Sequence, residues 1–170
     1  NRTLEPTQVA GFNQFFDDIN ATKSTRYGLG FDWMPIGDLS VGGELTWRDL
    51  DEPIFRSVEG DVVFEDRDED LHRAYLYWTP ASQWAVTAEF VYDLFEADNG
   101  IATEFDNLPK KVETISVPLG VRYFHPSGFF AGLGGTYVDQ KVRRAATATQ
   151  ADGSDDFFLV DAAVGYRLPK

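Results

Sequence analysis

Acidic side chains form the densest chemical cluster in this chain, in the run from Glu65 to Asp70. Carboxylate oxygens are the ligands that calcium prefers, so this run is one candidate for a divalent cation site. It lacks the glycine and the 12-residue spacing of an EF-hand loop, and runs of charge are usually solvated. The segment 152–156 has the same character. We therefore predict no metal site and no cofactor.

Nucleophilic chemistry is the second possibility. His72 and His125 are the only two histidines, the chain has no cysteine, and neither histidine has a second ligand at metal-binding spacing. Ser40 and Ser116 are candidate nucleophiles, but the alternating pattern around them places both on the face opposite His72. Because a hydrolase needs a nucleophile, a base and an orienting group within mutual reach, we predict that the chain is not an enzyme and has no catalytic residues.

Charged residues of both signs recur within otherwise glycine-rich or apolar segments. Two interpretations are open: they line a lumen that selects solutes by charge, or they form cross-strand salt links that hold an interior together. Their mixed signs favour the second interpretation. The candidate lumen-facing residues are Glu44, Arg48, Arg73, Glu89, Arg122 and Asp161.

The elements that must position these residues are β-strands, because apolar and polar residues alternate with a period of two. In the clearest segment, Trp84, Val86 and Ala88 alternate with Ala85, Thr87 and Glu89. Eight strands are predicted, at 26–34, 39–48, 72–78, 84–94, 114–123, 129–137 and 158–166, with a weaker one at 9–16.

Prolines repeat at intervals of 43 to 46 residues, and each follows an aromatic residue by two or three positions. Since proline cannot continue a central strand, each one indicates a strand end or a turn. Together they predict one domain, 1–170, in which short turns alternate with long acidic loops. The prolines are Pro35, Pro80, Pro126 and Pro169, the predicted turns lie near 34–38, 79–83 and 125–128, and the predicted loops are 49–70, 96–110 and 141–156.

Strands of about 9–11 residues are long for a soluble sandwich and suit a tilted transmembrane strand. Aromatic residues flank the apolar stripes, as in the interfacial girdles of membrane barrels. The predicted fold is therefore all-β, an antiparallel up-and-down transmembrane β-barrel. The predicted girdle comprises Tyr27, Trp33, Trp47, Trp78, Trp84, Tyr92, Tyr123, Phe129, Tyr137 and Tyr166.

Net charge and loop lengths bear on the surroundings of such a barrel. The formal charge of −13 argues against a nucleic-acid partner, for which a basic stripe would be expected. Outer-membrane barrels place short turns in the periplasm and long loops outside. We therefore expect the outer membrane of a Gram-negative bacterium, with the lipid bilayer and lipopolysaccharide as partners.

Several segments resemble the barrel regions of large Gram-negative outer-membrane proteins, either TonB-dependent receptors or barrel proteins that carry tetratricopeptide repeats. The resemblance implies solute transport or pore formation; the alternative is a non-transporting anchor for a protein-interaction domain. Such barrels usually end in an aromatic residue, so the end at Lys170 predicts a segment of a larger barrel; the alternative is an eight-stranded barrel that closes on itself. Remaining strands or another chain would close the segment, with a plug or helical-repeat domain upstream. The similar segments are GFNQFFDD (11–18), ELTWRDLDEP (44–53), DEDLHRAYLYWTP (68–80), VPLGVRYFHP (117–126) and VDAAVGYRLPK (160–170).

Overall fold

The computed structural model describes residues 7–9, 12–14, 21–56, 60–97, 109–144, 148 and 150–168. All regular elements in these ranges are β-strands. No helix in the described part is long and apolar enough to cross a membrane. The strands are β1 (Thr7–Val9), β2 (Phe12–Gln14), β3 (Lys23–Ile36), β4 (Leu39–Arg56), β5 (Asp61–Ala81), β6 (Trp84–Ala97), β7 (Pro109–Phe124), β8 (Phe129–Arg144) and β9 (Gly153–Tyr166).

Seven strands form one sheet in the order β3-β4-β5-β6-β7-β8-β9, with each strand paired to its neighbours in sequence. Every pairing is antiparallel. The seven strong strand predictions and the up-and-down order are thus confirmed. The sheet is open, with β3 and β9 as its two edges among the described residues, so closure into a barrel is not observed.

The odd strand number has a geometric consequence for the two edges. In a sheet of antiparallel neighbours, the first and the seventh strand run in the same direction. An antiparallel seam between β3 and β9 is therefore ruled out for these seven strands alone. Closure with antiparallel pairing throughout requires an odd number of further strands.

The predicted strand at 9–16 is not part of this sheet where it is described. There, β1 and β2 are three residues each and pair with each other, as in Val9 opposite Phe12. Residues 10, 11, 15 and 16 lie outside the described ranges. The prediction of eight strands in one sheet was therefore wrong for the described part of the chain.

The predicted loop at 49–70 was also wrong, because β4 and β5 pair continuously to Arg56 opposite Asp61. Residues 54–55 and 62–64 are isoleucine, valine and phenylalanine, which favour strands. Arg48 pairs with Glu69 and Arg67 pairs with Glu52 across the two strands, so the charge of this segment did not indicate a loop. Of the other predicted loops, 98–108 and most of 145–149 lie outside the described residues.

The short connections lie near the predicted positions, although β3 and β5 continue through their prolines to Ile36 and Ala81. The third turn is closed by backbone hydrogen bonds from His125 N to Phe129 O at 2.7 Å and from Gly128 N to His125 O at 3.0 Å. Gly128 adopts φ +96° and packs against the backbone of Arg167. Only glycine takes this conformation without strain.

Register places the apolar stripes of all seven strands on one face, since directly opposed residues in an antiparallel pair project from the same side. Leu29 opposes Leu45, which opposes His72, which opposes Tyr92, which opposes Ile115. We call this the outer face and the opposite one the inner face. Among the described residues only Leu50 and Ala97 are buried hydrophobic residues, and both lie on the inner face. The sheet therefore has no conventional core.

Candidate functional site

The inner face of β3 to β6 carries a compact group of polar side chains around Arg73. Its Nε and Nη2 donate to Oε2 of Glu89 at 3.0 and 2.8 Å. Nη2 also donates to the hydroxyl of Tyr77 at 2.8 Å, and that hydroxyl donates to Glu89 Oε1 at 2.8 Å. Both oxygens of the Glu89 carboxylate therefore have a donor. The Arg73 and Glu89 side chains are only 8% and 16% exposed, so this ion pair is largely shielded from water.

Tyr75 extends this group toward the edge of the sheet. Its ring stacks on Tyr77 with centroids 5.2 Å apart, and the Arg73 guanidinium carbon lies 5.1 Å from the Tyr75 ring centroid. Its hydroxyl donates a hydrogen bond to Asp32 on β3, across β4. Asp32, Arg73, Tyr75, Tyr77 and Glu89 are called the inner polar cluster below.

Gly42 explains how Tyr75 reaches across an intervening strand. Gly42 on β4 lies opposite both Asp32 on β3 and Tyr75 on β5. A β-carbon at Gly42 would lie 2.3 Å from the Tyr75 ring. The missing side chain therefore lets the tyrosine lie flat over β4, which is a use of glycine at a close approach.

Two further arginines pair across strands nearer the β4–β5 hairpin. Arg48 Nη1 is 2.9 Å from Glu69, and its Nε donates to Ser24 Oγ at 3.0 Å. Arg67 pairs with Glu52 and lies 3.5 Å from Glu65, and both of these carboxylates are buried. The inner face therefore satisfies many of its charges internally.

The inner face of β7 to β9 is more open. Glycines at 120, 132, 134 and 165 replace the large side chains of the other half. A concave site of about 490 Å³ lies here, lined in part by Arg122, Gly132, Thr136 and Asp161. Arg122 and Asp161 are both exposed. One half of the inner face is thus filled by side chains, and the other half leaves room.

The predicted lumen-facing residues can now be placed. All six lie on the inner face, because Glu44 opposes Arg73, Arg122 opposes Gly132 and Asp161 opposes Gly134. The structure brings Arg73 and Glu89 together and pairs Arg48 with Glu69. It leaves Arg122 and Asp161 in the open half, outside the inner polar cluster. These cross-strand pairs agree with the salt-link interpretation for Arg48, Arg73 and Glu89.

Sequence reasoning did not select Asp32, Tyr75 and Tyr77 as site residues. The two tyrosines follow Arg73 at intervals of two residues on the same strand. This spacing places all three side chains on one face and could have identified them. Asp32 is separated from Tyr75 by 43 positions and gave no such signal. Its contact depends on the register of three strands.

On the outer face, aromatic rings form a row at the end of the sheet nearer the long hairpin. Centroid distances are 5.7 Å for Tyr27–Trp47, 5.2 Å for Trp47–His72 and 5.7 Å for His72–Tyr92. At the end with the short turns, Trp84 and Tyr123 are 4.8 Å apart. The other predicted girdle residues also lie on the outer face near these two ends: Trp33, Trp78, Phe129, Tyr137 and Tyr166.

The acidic run at 65–70 lies within a strand, so its side chains alternate between faces. Glu65 and Glu69 lie on the inner face with Arg67 and Arg48, while Asp66, Asp68 and Asp70 lie on the outer face. In the described ranges, no three His, Cys, Asp or Glu residues are grouped so as to hold a metal ion. Asp152, in the second acidic segment, accepts a hydrogen bond from the Arg144 backbone at 2.8 Å.

The candidate residues for nucleophilic chemistry are dispersed. Ser40 opposes Tyr77 and Ser116 opposes Val91 on the inner face, whereas His72 lies in the aromatic row of the outer face. His125 is a turn residue, and its Nδ1 accepts a hydrogen bond from the Ser127 backbone at 3.2 Å. Ser40 and Ser116 thus lie on the opposite face from His72, and the serine beside His125 is Ser127, whose hydroxyl lies 2.8 Å from Nδ1 in the exposed turn.

Two aspartates beyond the aromatic row should titrate in opposite directions. Partial loss of hydration, reinforced by Asp49, Asp70, Glu96 and Asp66, raises the pKa of Asp68 above 3.8. The hydrogen bond from Lys23 lowers the pKa of Asp51 below 3.8. The folded state therefore binds a proton at Asp68 more tightly than the unfolded state. The contribution of Asp68 to the stability of the fold is present at low pH and is lost as the pH rises through its raised pKa. Asp51 contributes stability above 3.8, which is lost as the pH falls through its lowered pKa.

We expect a carbon-13 NMR titration of the side-chain carboxyls to show Asp68 titrating above 3.8 and Asp51 below it. At pH 7, Asp68→Asn should leave the protein equally or slightly more stable, by at most about 0.5 kcal/mol at an exposed site. Asp51→Asn should lower its stability and serves as the matched control of opposite sign. Identical titration of the two carboxyls would contradict the described pairing of Lys23.

What the sheet presents is an outer face of exposed apolar residues and an inner face with a filled polar half and an open glycine-rich half. Comparison with protein-family models, with curated proteins and with solved structures finds no match to this chain.

Proposed function

We propose that this chain forms part of the wall of an outer-membrane β-barrel that carries solutes across the outer membrane. The observation that supports this most strongly is the exposed apolar outer face. Leu29, Leu119 and Val164 are 73%, 53% and 72% exposed on it. A soluble sandwich would cover such a face with a second sheet, and no second layer packs on it among the described residues. Lipid is the cover that fits its size and chemistry.

Strand length and the aromatic rows support the same proposal. The seven strands are 14 to 21 residues long, enough for the roughly 9–11 residues that a tilted transmembrane strand requires. Aromatic rings at both ends of the apolar stripes fit the two interfaces of a bilayer. The lipid bilayer and lipopolysaccharide are thus the proposed surroundings.

Orientation follows from the unequal connections. Short turns join β3 to β4, β5 to β6 and β7 to β8, and the β4–β5 hairpin extends far from the other end. Short turns belong in the periplasm and long connections outside the cell in such barrels. We propose this orientation, with further strands or another chain closing the sheet. Unpaired edges in lipid would cost several kcal/mol per backbone group, and the parity of the sheet sets the number of added strands as odd.

A non-transporting barrel anchor is the second candidate. It is favoured by the inner polar cluster. There, Arg73, Tyr77 and Glu89 form hydrogen bonds with one another, which leaves fewer of their polar groups to bind a solute in a channel. The proposed relatives, TonB-dependent receptors and repeat-bearing barrel proteins, correspond to the two candidates. A plug domain joined to this sheet would favour transport, and helical repeats would favour anchoring.

Tryptophan fluorescence tests the lipid contact directly, because all four tryptophans of the chain lie on the outer face: Trp33, Trp47, Trp78 and Trp84. In vesicles with brominated acyl chains, we expect strong quenching, greatest for bromine near the headgroups. With these four residues changed to phenylalanine, Leu119→Trp should be quenched and Thr136→Trp on the inner face should not. Unquenched emission from Leu119→Trp would contradict the proposal.

Conductance across a planar bilayer then distinguishes the two candidates. A transporting barrel gives steady ion current through the purified full-length protein. An anchor with a filled interior gives none. Steady current would therefore support transport, whereas absence of current combined with quenched tryptophans would support anchoring only for a protein that carries no plug domain.

A further inference from the structure

The β4–β5 hairpin projects beyond both of its neighbouring strands. Pairing with β3 ends at Asp51, opposite Lys23, and pairing with β6 ends at Arg67, opposite Ala97. From there to Arg56 and Asp61, the two strands of the hairpin pair only with each other among the residues that the structure describes. Phe55 lies eight residues beyond Trp47 of the aromatic row, which is about 26 Å along a strand. The hairpin end is therefore well clear of the apolar part of the sheet.

The two faces of this projecting end differ in the burial and pairing of their side chains. On the inner side, Glu52 and Glu65 are buried and pair with Arg67. On the outer side, Phe55, Val62 and Phe64 are 61%, 55% and 60% exposed. Phe55 opposes Val62, and Pro53 opposes Phe64, so these side chains form one patch. We call Pro53, Phe55, Val62 and Phe64 the hairpin patch.

Acidic residues border the hairpin patch on the same face. Asp51 opposes Asp66, and Asp49 opposes Asp68, directly between the patch and the aromatic row. Lys23 pairs with Asp51 at 3.1 Å, so this band of four carboxylates keeps a net negative charge. Partial loss of hydration raises the pKa of Asp68, and the like charges of the neighbouring carboxylates add to this effect.

We propose that the hairpin patch and its acidic band dock a cationic peptide segment of another protein, with an apolar side chain seated on Phe55 and Phe64. Charge complementarity identifies the occupant, because lysine or arginine beside the apolar anchor would neutralise the acidic band. Exposed aromatic residues are the usual anchors of such contacts. Anionic lipid headgroups are a poor fit, since the band would repel them. The hairpin projects from the sheet whether or not the sheet lies in lipid, so this inference goes beyond the proposed function.

Binding of defined peptides tests the proposal with the full chain in nanodiscs of zwitterionic lipid. The probe is a labelled peptide of alternating lysine and leucine, compared with glutamate–leucine and lysine–serine peptides of the same length, and empty nanodiscs give the background. We expect fluorescence anisotropy to show at least about tenfold tighter binding of the lysine–leucine peptide than of either comparison peptide, a difference of about 1.4 kcal/mol. The binding should weaken with added salt.

Two variants locate the binding. The first, Phe55→Ser with Phe64→Ser, removes the apolar anchors, and the second, Asp66→Asn with Asp68→Asn, removes part of the acidic band. Each should weaken binding of the lysine–leucine peptide at least about fivefold. The control, Asp155→Asn with Asp156→Asn, makes the same charge change elsewhere and should leave the affinity unchanged. Circular dichroism checks that each variant is folded.

Three outcomes would overturn the proposal. Equal binding of the lysine–serine peptide would reduce the interaction to charge alone. Unchanged affinity in both hairpin variants would place the peptide elsewhere on the chain. In the absence of peptide, tighter binding of the protein to anionic than to zwitterionic vesicles, lost when Phe55 and Phe64 are changed, would identify the hairpin patch as a lipid contact instead.

Discussion

Replacement of Leu119 by arginine should destabilise the protein by about 2–4 kcal/mol in a lipid bilayer, the cost of a lipid-facing cation near the midplane. Leu119 lies on the outer face of β7, four residues from Tyr123 at one end and four from Ile115 at the other. It is 53% exposed, so a charge placed there would face the surroundings of the sheet. The measurement is the free energy of unfolding by denaturant from lipid vesicles.

Thr136→Arg is the matched control for this substitution. Thr136 opposes Pro118, the neighbour of Leu119, so it lies at nearly the same depth on the inner face. It lines the concave site of about 490 Å³, which has room for a longer side chain. We expect a change of less than about 1 kcal/mol there. Gly120→Arg is a less suitable control, because a β-carbon at Gly120 would lie 2.6 Å from the Thr87 hydroxyl. Equal losses at Leu119 and Thr136 would refute the assignment of the two faces.

Removal of the Arg73 side chain should be the second large effect. Arg73→Ala takes the donors away from Glu89 and Tyr77 and leaves the Glu89 carboxylate largely shielded from water. Hydrogen bonds to charged groups contribute about 1.5–3 kcal/mol each, and an unpaired shielded charge adds a desolvation cost. We expect a loss of about 2–3 kcal/mol in the free energy of unfolding.

A double-mutant cycle with Glu89→Ala isolates the pair itself. The combined variant should lose less stability than the sum of the single losses, with a coupling energy of about 1–3 kcal/mol. Lys23→Ala serves as the comparison, because the Lys23–Asp51 pair is 78% and 40% exposed and solvent screening should leave it a much smaller contribution. Additive losses at Arg73 and Glu89 would show that the two side chains do not interact in solution.

The alternation of apolar and polar residues was enough to predict seven strands and which face each side chain occupies, and the short turns between them indicated their up-and-down order. The alternation was enough for Leu119 and Arg122, whose faces follow from a period of two. It failed for the acidic segment 49–70, because charge suggested a solvated loop while Ile54 and Val62–Phe64 favoured a strand. Charge pairs on the inner face, such as Arg67 with Glu52, remove the reason for that segment to leave the sheet.

The contacts of the inner polar cluster could not be predicted in this way. Arg73 and Glu89 are 16 positions apart, and Tyr75 and Asp32 are 43 apart. Whether such residues meet depends on the register of neighbouring strands, and a shift of one residue would move every side chain of a strand to the other face. The two-residue spacing in the sequence assigned these side chains to one face of the sheet, but it did not identify which of them form hydrogen bonds with one another.

The strands, the short turns and the two unlike faces thus follow from the order of amino acids, because they depend on local propensity and on the two-residue repeat of an extended chain. Only the tertiary structure decided which charges pair, how far the β4–β5 hairpin projects and that seven strands leave two edges running in the same direction. These features depend on pairing between distant segments. They arise from the register that the whole sheet adopts, which no single strand specifies.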